Sequence, residues 1–263
     1  ALGKNRVTIM VGVPRVYKLL ADGIKAQIDS SFLPRQIYKS TKFLKSMKIR
    51  KTIFAKVHKK LGSNLKQLIS GGAKLDVEVG ELFERLGFYV TEGYGLTETS
   101  PIIAVATITE RKLGTVGKLL PRTEVKIVED EIWIKGPQVM KGYYNKPDKT
   151  KEIITEDGWL KTGDLGDLDS EGYLTVKGRK SSMIVLSNGK NIDPEAIENK
   201  IQIISKNLIK ELGIVAKNEK LNAIVVPDLV EFKKQGKTNI QQYIKEIIED
   251  YNLEAANYRK VLH

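Results

Sequence analysis

The sequence predicts an α/β protein in three parts: part of a layered α/β domain, a small antiparallel β-barrel, and a small α+β domain. Three observations support this prediction. Strand and helix patterns alternate over the first hundred residues, short strands of period two follow, and mixed helix and strand patterns close the chain. We place the three parts at residues 1–112, 113–178 and 179–263.

The first hundred residues carry three strand patterns and two helix patterns. The predicted strands are apolar runs that end in glycine or proline, and the predicted helices are amphipathic. The strands are RVTIMVGVP, LKQLISGGA and FYVTEGYG, and the helices are PRVYKLLADGIKAQI and LDVEVGELFERLG. SGGA and EGYG therefore both follow strands, so we expect their main chains at the carboxyl ends of a sheet, where ligands bind in such layers.

A strongly basic region interrupts this alternation. No aspartate or glutamate occurs from Ser30 to Leu75, and lysine and arginine crowd residues 35–60. Five apolar residues fall at spacings that predict one helix face. They are Phe43, Met47, Phe54, Val57 and Leu61. The simpler interpretation is a helix with a buried apolar side and a solvated basic side; the alternative is peripheral contact with anionic lipid or phosphate, such as the inner face of a membrane. Nucleic acid is not an expected partner, because aromatic residues do not interleave with the basic ones.

Composition limits the chemistry of the chain. Its 263 residues are 41% hydrophobic and 29% charged, with a formal net charge of +12, which is typical of a folded globular protein. No segment is apolar over the length of a bilayer. The absence of cysteine suits a reducing cytoplasm. The two histidines, His58 and His263, have no visible catalytic partner, so we interpret both as surface residues. Catalysis here would therefore depend on positioning and electrostatics.

Short strands dominate from about Leu113. The runs GTVGKLL, EVKIVED, EIWIKG, WLKTGDLGDLD and GYLTVKG predict a small antiparallel sheet or barrel. After KGRKSS, helices are predicted at DPEAIENKIQ and TNIQQYIKEIIEDYN, with strands near LGIVAK and NAIVVPD. Thr238 and Gln241 have the spacing of a capping box for the last helix. The GKT at Gly236 lacks the upstream glycine of a phosphate loop, so we predict a loop and helix cap there.

The stretch EGYGLTETSP, Glu92 to Pro101, has the chemistry that a nucleotide with a metal ion requires. Its glycines allow a flat ligand to approach the main chain. Tyr94 offers a ring for stacking a base, Thr97 a hydroxyl for a phosphate oxygen, and Glu98 a hard oxygen ligand for Mg²⁺. The alternative is a tight turn that caps a helix at TETSP.

Three motifs together resemble one family. SGGA, EGYGLTETSP and GWLKTGDLGDLDSEGYLTVKGRKSSMIVLSNGKNIDPEAIE, in that order, resemble the adenylate-forming superfamily and within it bacterial long-chain acyl-CoA synthetases. The resemblance implies an enzyme that activates a fatty acid with ATP and Mg²⁺ to an acyl-adenylate, and then transfers the acyl group to coenzyme A. Such chemistry needs no protein nucleophile. A catalytically inactive or regulatory nucleotide-binding module, or an enzyme for a different carboxylic acid, is the alternative.

The resemblance also implies site residues. The predicted nucleotide pocket consists of Gly72, Ala73, Glu92, Gly93, Tyr94 and Gly95. Thr97 would contact the α-phosphate, and Glu98 would hold Mg²⁺. Asp164 of TGD would accept hydrogen bonds from both ribose hydroxyls, and Arg179 would place a positive charge near the ribose and phosphate. Thr97, Glu98 and Arg179 are the predicted catalytic residues. From the residues alone, a turn position is the favoured interpretation of Asp164.

In the family that the motifs resemble, the small carboxyl-terminal domain is mobile. The hinge would lie at GRKSS, at Lys180 and Ser181, although relatives more often carry aspartate or lysine at the position of Ser181. The loop SNGKN would approach coenzyme A through Ser187, Gly189 and Lys190. Its alternative interpretation is an ordinary turn with Gly189 at positive φ.

Two parts of the family pattern do not occur in this sequence. The serine-, threonine- and glycine-rich loop that ends in lysine is expected before Ala1, and the late catalytic lysine is expected after His263. We therefore expect a fragment of a longer enzyme. By itself it would bind the adenosine half of a nucleotide without completing adenylation, because two cations that stabilise the transition state are missing.

Overall fold

The computed structural model describes residues 5–186, 189–218 and 220–262. The chain divides into two compact units, Ala1–Lys177 and Gly178–His263. The further division of the first unit near residue 112 stays a prediction. Of the described helices, none combines the length and apolar character that crossing a bilayer requires.

The first unit begins with the α/β layer that the sequence predicts. Its strands are β1 (Ile9–Gly12), β2 (Gln67–Ser70), β3 (Tyr89–Tyr94), β4 (Ala104–Val105) and β5 (Lys118–Leu119), in that order across one sheet. The first three are parallel, and β4 and β5 continue the sheet antiparallel. The helices of this region are α1 (Pro14–Asp29), α2 (Phe32–Ser40), α3 (Met47–Ile53), α4 (Ala55–Leu61) and α5 (Val77–Arg85). Tyr17, Leu68, Phe83 and Val90 belong to one buried cluster, which joins α1 and α5 to the sheet.

The basic region forms three short helices, α2, α3 and α4, rather than one. A 3₁₀ turn at Thr41–Phe43 follows α2, and the Ser46 side chain caps α3. The predicted common face is wrong for Phe43, which is 85% exposed, whereas Phe54 is buried. The region is divided into separate helices, and each packs inward through its own side chains. Tyr38 of α2, for example, meets Phe54 edge-on, with the ring centres 6.4 Å apart.

His58 is buried, so the prediction of a surface histidine is wrong. Its ring stacks on Phe88 with the centroids 4.0 Å apart, and its Nε2 lies 2.9 Å from the carbonyl oxygen of Leu86. Burial lowers the pKa of His58, against the opposing effect of this hydrogen bond. The following residues, Lys59 and Lys60, are exposed. The lysines next to His58 in the sequence therefore gave no sign that its side chain is buried.

The predicted antiparallel strands follow in the remainder of the first unit, and the last of them ends two residues beyond Lys177. They are β6 (Glu124–Val128), β7 (Glu131–Lys135), β8 (Leu160–Leu168) and β9 (Leu174–Arg179), and α6 (Pro147–Ile153) lies between β7 and β8. Among the described residues, the pairing runs in line from β6 to β9, without a pair that joins the two end strands. An isolated bridge between Lys118 and Tyr173 connects this segment to β5. The four strands thus form one antiparallel sheet, as the sequence predicts.

Both tryptophans lie on this antiparallel sheet or at its edge. Cross-strand pairing places Trp133 between Lys126 and Lys161, on three neighbouring strands. The Lys126 ammonium lies 4.9 Å from the Trp133 ring centre and 4.2 Å from that of Trp159, and Lys161 lies 5.3 Å from Trp133. These are cation–π distances, so the lysines hold both indoles in place.

The second unit is an α+β fold. Its elements are β10 (Ile184–Val185), β11 (Asn191–Ile192), α7 (Pro194–Ile204), β12 (Ile209–Lys217), β13 (Lys220–Pro227), α8 (Leu229–Lys234), α9 (Ile240–Glu254) and β14 (Val261–Leu262). β12 and β13 pair antiparallel, and β14 adds parallel to β13. Ile201, Leu221 and Ile248 belong to the core of this unit. The predicted capping box is wrong, because Asn239 caps α9 and its Oδ1 accepts the Gln242 N–H at 3.1 Å.

Candidate nucleotide site

The segments SGGA and EGYG lie side by side at the carboxyl ends of β2 and β3 in the first sheet. Ser70 at the end of β2 pairs with Glu92 in β3, and the strands are parallel. A Cβ atom built on Gly71 would lie 3.9 Å from the carbonyl oxygen of Gly93. Gly72 has a φ of +83°, and Gly72 and Ala73 are exposed. Two accessible main-chain segments therefore meet where α/β sheets bind ligands.

Glu92 holds this glycine loop to the sheet. The side chain is 6% exposed, and its Oε2 accepts the N–H of Leu75 at 3.2 Å. Burial raises the pKa of Glu92 to about 7, against the opposing effects of the Leu75 hydrogen bond and the Lys74 charge. The carboxyl group therefore has a structural contact beside its predicted place in the nucleotide pocket.

Gly95 allows a tight turn after β3. A Cβ atom at this position would lie 1.9 Å from the carbonyl oxygen of Pro101, so only glycine fits. The following 3₁₀ turn, Thr97–Thr99, is closed by the Thr99 hydroxyl, which accepts the Leu96 N–H and donates to the Leu96 carbonyl, both at 2.9 Å. Thr97 is exposed on this turn. The turn interpretation of TETSP thus describes its backbone, and the phosphate role of Thr97 stays a prediction.

The Tyr94 hydroxyl donates a hydrogen bond of 2.6 Å to Oδ2 of Asp164. Tyr94 is the last residue of β3, and Asp164 lies in β8, 70 residues later. Asp164 is 4% exposed. Two side chains that the sequence predicts for one nucleotide are thus in direct contact, although the contact itself was not predicted.

A β-bulge directs Asp164 inward. The register between β7 and β8 shifts between Glu131 and Trp133, and Gly163 opposite has a φ of +70°. The Gly163 N–H donates to Oε1 of Glu131 at 2.9 Å, and the Thr162 hydroxyl accepts the Asp164 N–H at 3.0 Å. Bulges redirect side chains in this way. Asp164 therefore lies in a strand and not in a turn, and the glycine within a strand pattern was the signal for the bulge.

Glu98 accepts a hydrogen bond from Tyr143, a residue that the sequence analysis missed. The Tyr143 hydroxyl lies 2.7 Å from Oε1 of Glu98, and this bond raises the pKa of Tyr143. Across the described part of the chain, no three histidine or acidic side chains cluster as a metal site. One carboxylate nevertheless fits Mg²⁺, which commonly binds one or two carboxylates together with substrate phosphates and water.

The predicted hinge and arginine belong to the second unit. Arg179 is the last residue of β9, and Lys180 and Ser181 lie in the 3₁₀ turn Lys180–Ser182. All three are exposed. Their roles toward the nucleotide and as a hinge stay predictions.

The predicted coenzyme A loop is described in part, because Ser187 lies outside the described residues. Gly189 has a φ of +76°, and its N–H donates to the Leu186 carbonyl at 2.8 Å. The Lys190 ammonium lies 3.9 Å from the centre of the Tyr258 ring. The turn interpretation is thus correct for Gly189, and the contact with coenzyme A stays a prediction.

An open concavity of about 520 Å³ lies away from these residues, at one end of β6 and β7. Arg122, Lys135 and Gly158 are among its lining residues, and no predicted site residue lines it. We therefore define the candidate site by its hydrogen bonds and its main-chain segments.

Comparison with known proteins identifies matches along both units. A family model described as AMP-binding enzyme matches residues 1–144, and one described as AMP-binding enzyme C-terminal domain matches residues 181–263. The chain is 33% identical over 225 residues to the chloroplastic long-chain-fatty-acid–[acyl-carrier-protein] ligase AEE15 of Arabidopsis thaliana, over 77% of this chain and 30% of the relative. It is 40% identical over 151 residues to the long-chain-fatty-acid–CoA ligase FadD15 of Mycobacterium bovis, over 57% of this chain and 25% of the relative.

Solved structures give the same result for the fold. O-succinylbenzoate coenzyme A synthetase from Bacillus subtilis in complex with AMP matches with a TM-score of 0.66 and 25% identity, over 99% of this chain and 48% of that one. The same enzyme with ATP and a magnesium ion matches at 0.64 and 26%, over 99% and 49%. The chain thus spans about a quarter to a third of the two curated relatives and about half of these structures. Since the AMP-binding model alone covers more than half of its residues, the chain belongs to the AMP-binding enzymes, the adenylate-forming superfamily.

Proposed function

We propose that the protein to which this chain belongs activates a long-chain fatty acid with ATP and Mg²⁺, and then transfers the acyl group to coenzyme A. The observation that carries the proposal is the hydrogen bond between Tyr94 and Asp164. It brings together a ring that can stack on adenine and a carboxylate that can accept ribose hydroxyls. Tyr94 lies within residues 1–144, which the AMP-binding model matches, and Asp164 lies between the two matched ranges.

In the proposed site the main chain receives the base. Gly72 and Ala73 form one side of the pocket, and Gly93, Tyr94 and Gly95 form the other. Glu92 holds the loop that contains Gly72 and Ala73 in place, because its carboxylate accepts the Leu75 N–H. The Tyr94 hydroxyl fixes one oxygen of Asp164, which orients the carboxylate toward the ribose. The nucleotide is thereby positioned without a covalent bond to the protein, which is the contribution that catalysis by orientation requires.

The chemical step is a displacement at the α-phosphorus. A carboxylate oxygen of the fatty acid forms the new bond, the bond to the bridging oxygen breaks, and pyrophosphate leaves. Thr97 would donate to an α-phosphate oxygen, and Glu98 would hold Mg²⁺, which supplies positive charge to the phosphates when bound. Tyr143 orients the Glu98 carboxylate. In the second unit, Arg179 would add positive charge near the ribose and phosphate, with Lys180 and Ser181 as the hinge.

The second half-reaction transfers the acyl group. The thiol of coenzyme A would attack the acyl carbonyl, and AMP would leave. Ser187, Gly189 and Lys190 are the residues that we assign to the coenzyme A side. A relative named for transfer to acyl carrier protein makes a carrier-protein thiol the second candidate acceptor.

The long-chain substrate is proposed from the names of the curated relatives. The structural matches include an enzyme named for O-succinylbenzoate, so another carboxylic acid is the alternative. A nucleotide-binding module without catalysis is the other alternative.

Pyrophosphate exchange by the full-length protein distinguishes these proposals. We expect exchange with palmitate and none with O-succinylbenzoate or benzoate. Exchange with an aromatic acid alone would reject the fatty acid, and ATP binding without exchange for any acid would favour the inactive module. Adding coenzyme A or holo acyl carrier protein and measuring the thioester then identifies the acceptor.

A further inference from the structure

Exposed apolar and basic side chains occur together in one segment of the first unit, residues 32–53. Between Phe32 and Ile53 the chain forms α2, the 3₁₀ turn and α3, and contains no acidic residue. Phe32 and Phe43 are 74% and 85% exposed, and four aliphatic side chains are exposed with them. We define the basic apolar surface as Phe32, Leu33, Ile37, Phe43, Ile49 and Ile53 together with Lys39, Lys42, Lys45 and Lys48. Such a group of exposed apolar residues is uncommon on a soluble face and indicates a binding surface.

Contacts on the inner side fix which residues face outward. In α2, Tyr38 lies against Phe54, and the Arg85 guanidinium stands over its ring at 5.4 Å. In α3, Arg50 donates to the Glu84 carbonyl at 2.9 Å, and Lys51 donates to the Ser63 carbonyl at the same distance. The helices are thus attached through these residues. The apolar side chains of the basic apolar surface are not among these attached residues and are exposed.

Among the described residues, no acidic side chain forms an ion pair with the lysines of this surface. Lys39, Lys42, Lys45 and Lys48 are exposed, and none forms an ion pair with another described residue. Arg35, by contrast, is paired with Asp29 at 3.5 Å. Four exposed lysines without an ion pair to another described residue occur in the same segment as two exposed aromatic rings, a combination that matches a surface that is both anionic and apolar.

We propose that the basic apolar surface binds an anionic lipid bilayer, with Phe32, Leu33 and Phe43 among the acyl chains and the lysines at the headgroups. Aromatic and aliphatic residues with flanking lysines are the combination that interfacial binding requires. Each basic residue near an anionic bilayer strengthens binding by about fivefold, so four of them allow reversible, salt-sensitive attachment. The inference deepens the proposed function, since a long-chain fatty acid partitions into bilayers, but the surface is argued from its own chemistry.

This proposal corrects the single basic helix that the sequence predicted. Lys42 lies in the 3₁₀ turn, Lys45 between the elements, and Lys48 and Lys51 in α3. Lys51 donates to the Ser63 carbonyl and is therefore not part of the basic apolar surface. Exposed aromatic rings, which the sequence pattern had assigned in part to the core, add the apolar component.

Vesicle co-sedimentation of the full-length protein tests the proposal without ATP or fatty acid. The charge variant replaces Lys39, Lys42, Lys45 and Lys48 with glutamine, and the apolar variant combines Phe32→Ser and Phe43→Ser. The matched control replaces four exposed lysines of the second unit, Lys200, Lys210, Lys233 and Lys260, with glutamine. We expect the parent to bind vesicles of phosphatidylglycerol and phosphatidylcholine at low salt. Each surface variant should lower the partition coefficient by about tenfold or more, and the control by about twofold or less.

Equal binding of parent and surface variants would overturn the proposal, as would an equal loss in the control. Sedimentation velocity without lipid gives a further decisive result: a dimer that the apolar variant disrupts would assign the surface to a second copy of the protein. Pyrophosphate exchange measured in detergent separates this proposal from the proposed function. There the surface variants should retain the parent rate, so loss of vesicle binding and loss of catalysis are independent results.

Discussion

The hydroxyl of Tyr94 lies 2.6 Å from Oδ2 of Asp164 and joins the end of a parallel strand to a bulge in the antiparallel sheet. The bond connects two of the predicted nucleotide contacts before any nucleotide is considered. Substitution of either residue should therefore weaken ATP binding.

Asp164→Ala in the full-length protein should weaken ATP binding by about 2 to 4 kcal/mol, because charge-assisted bonds to two hydroxyls are lost. Tyr94→Phe keeps the ring and removes only the hydroxyl, so we expect a loss of about 1 kcal/mol. Titration calorimetry with ATP measures both. Asp167→Ala is the matched control, because Asp167 lies in the same strand but is exposed and paired with Lys177. Unchanged ATP affinity in the Asp164 variant would reject the ribose role.

Glu98→Gln should raise the Mg²⁺ concentration needed for half-maximal pyrophosphate exchange, because an amide is a poorer ligand for a hard cation than a carboxylate. Tyr143→Phe should shift this concentration less, since it removes only the bond that orients the carboxylate. Glu110→Gln serves as the control, because that carboxylate is exposed and paired with Lys118. A Glu98 variant with the parent's metal dependence would leave Glu98 as part of the turn alone.

Glu92 should make the stability of the protein depend on pH. Its pKa is raised from 4.5 to about 7 in the folded state, so the unfolded chain loses this proton first as pH rises. Protonated Glu92 therefore contributes to the free energy of unfolding. This contribution is fully present below pH 4.5 and is lost as pH rises to about 7. The increase in the pKa of Glu92 corresponds to about 3 kcal/mol. We expect Glu92→Gln to match the parent near pH 4 and to exceed its free energy of unfolding by up to about 3 kcal/mol at pH 8. Urea unfolding at several pH values checks this, and a constant difference between the two proteins would contradict it.

Hydrophobic periodicity was sufficient to predict β1, α1, β2, α5 and β3, because each carries a regular apolar pattern in its sequence. It failed in the basic region, where short helices are held by tertiary contacts such as that between Tyr38 and Phe54. It also failed for His58, whose burial depends on the distant ring of Phe88. No local pattern reports such a contact.

The candidate site divides in the same way. Its glycines and acids were recognisable from motif order, since they follow strands whose positions were predictable. The inward direction of Asp164 was not, because it depends on the bond between Gly163 and Glu131 on a neighbouring strand. Tyr143 lies 45 residues from Glu98, so its contact arises only from the folded chain.

Gly95→Ala should destabilise the first unit by about 3 kcal/mol or more, because the added Cβ would lie 1.9 Å from a main-chain oxygen of Pro101. Gly213→Ala is the control. Gly213 lies in β12 and, like Gly95, has no positive φ; a Cβ there would meet no atom within 4 Å, so the change should stay within about 1 kcal/mol. Thermal unfolding of both variants measures the difference. Equal stability of the two would show that the turn after β3 relaxes around the methyl group.

The row of Lys126, Trp133 and Lys161 gives the chain a selective optical reporter. Its two tryptophans, Trp133 and Trp159, both contact the lysines of the antiparallel sheet, and the second unit contains no tryptophan. Indole emission of this chain therefore reports the order of that sheet, whereas the tyrosines, which occur in both units, report the whole. Exciting tryptophan alone would follow the unfolding of β6 to β9 without a contribution from the second unit, and comparison with far-ultraviolet circular dichroism would show whether the two units unfold together.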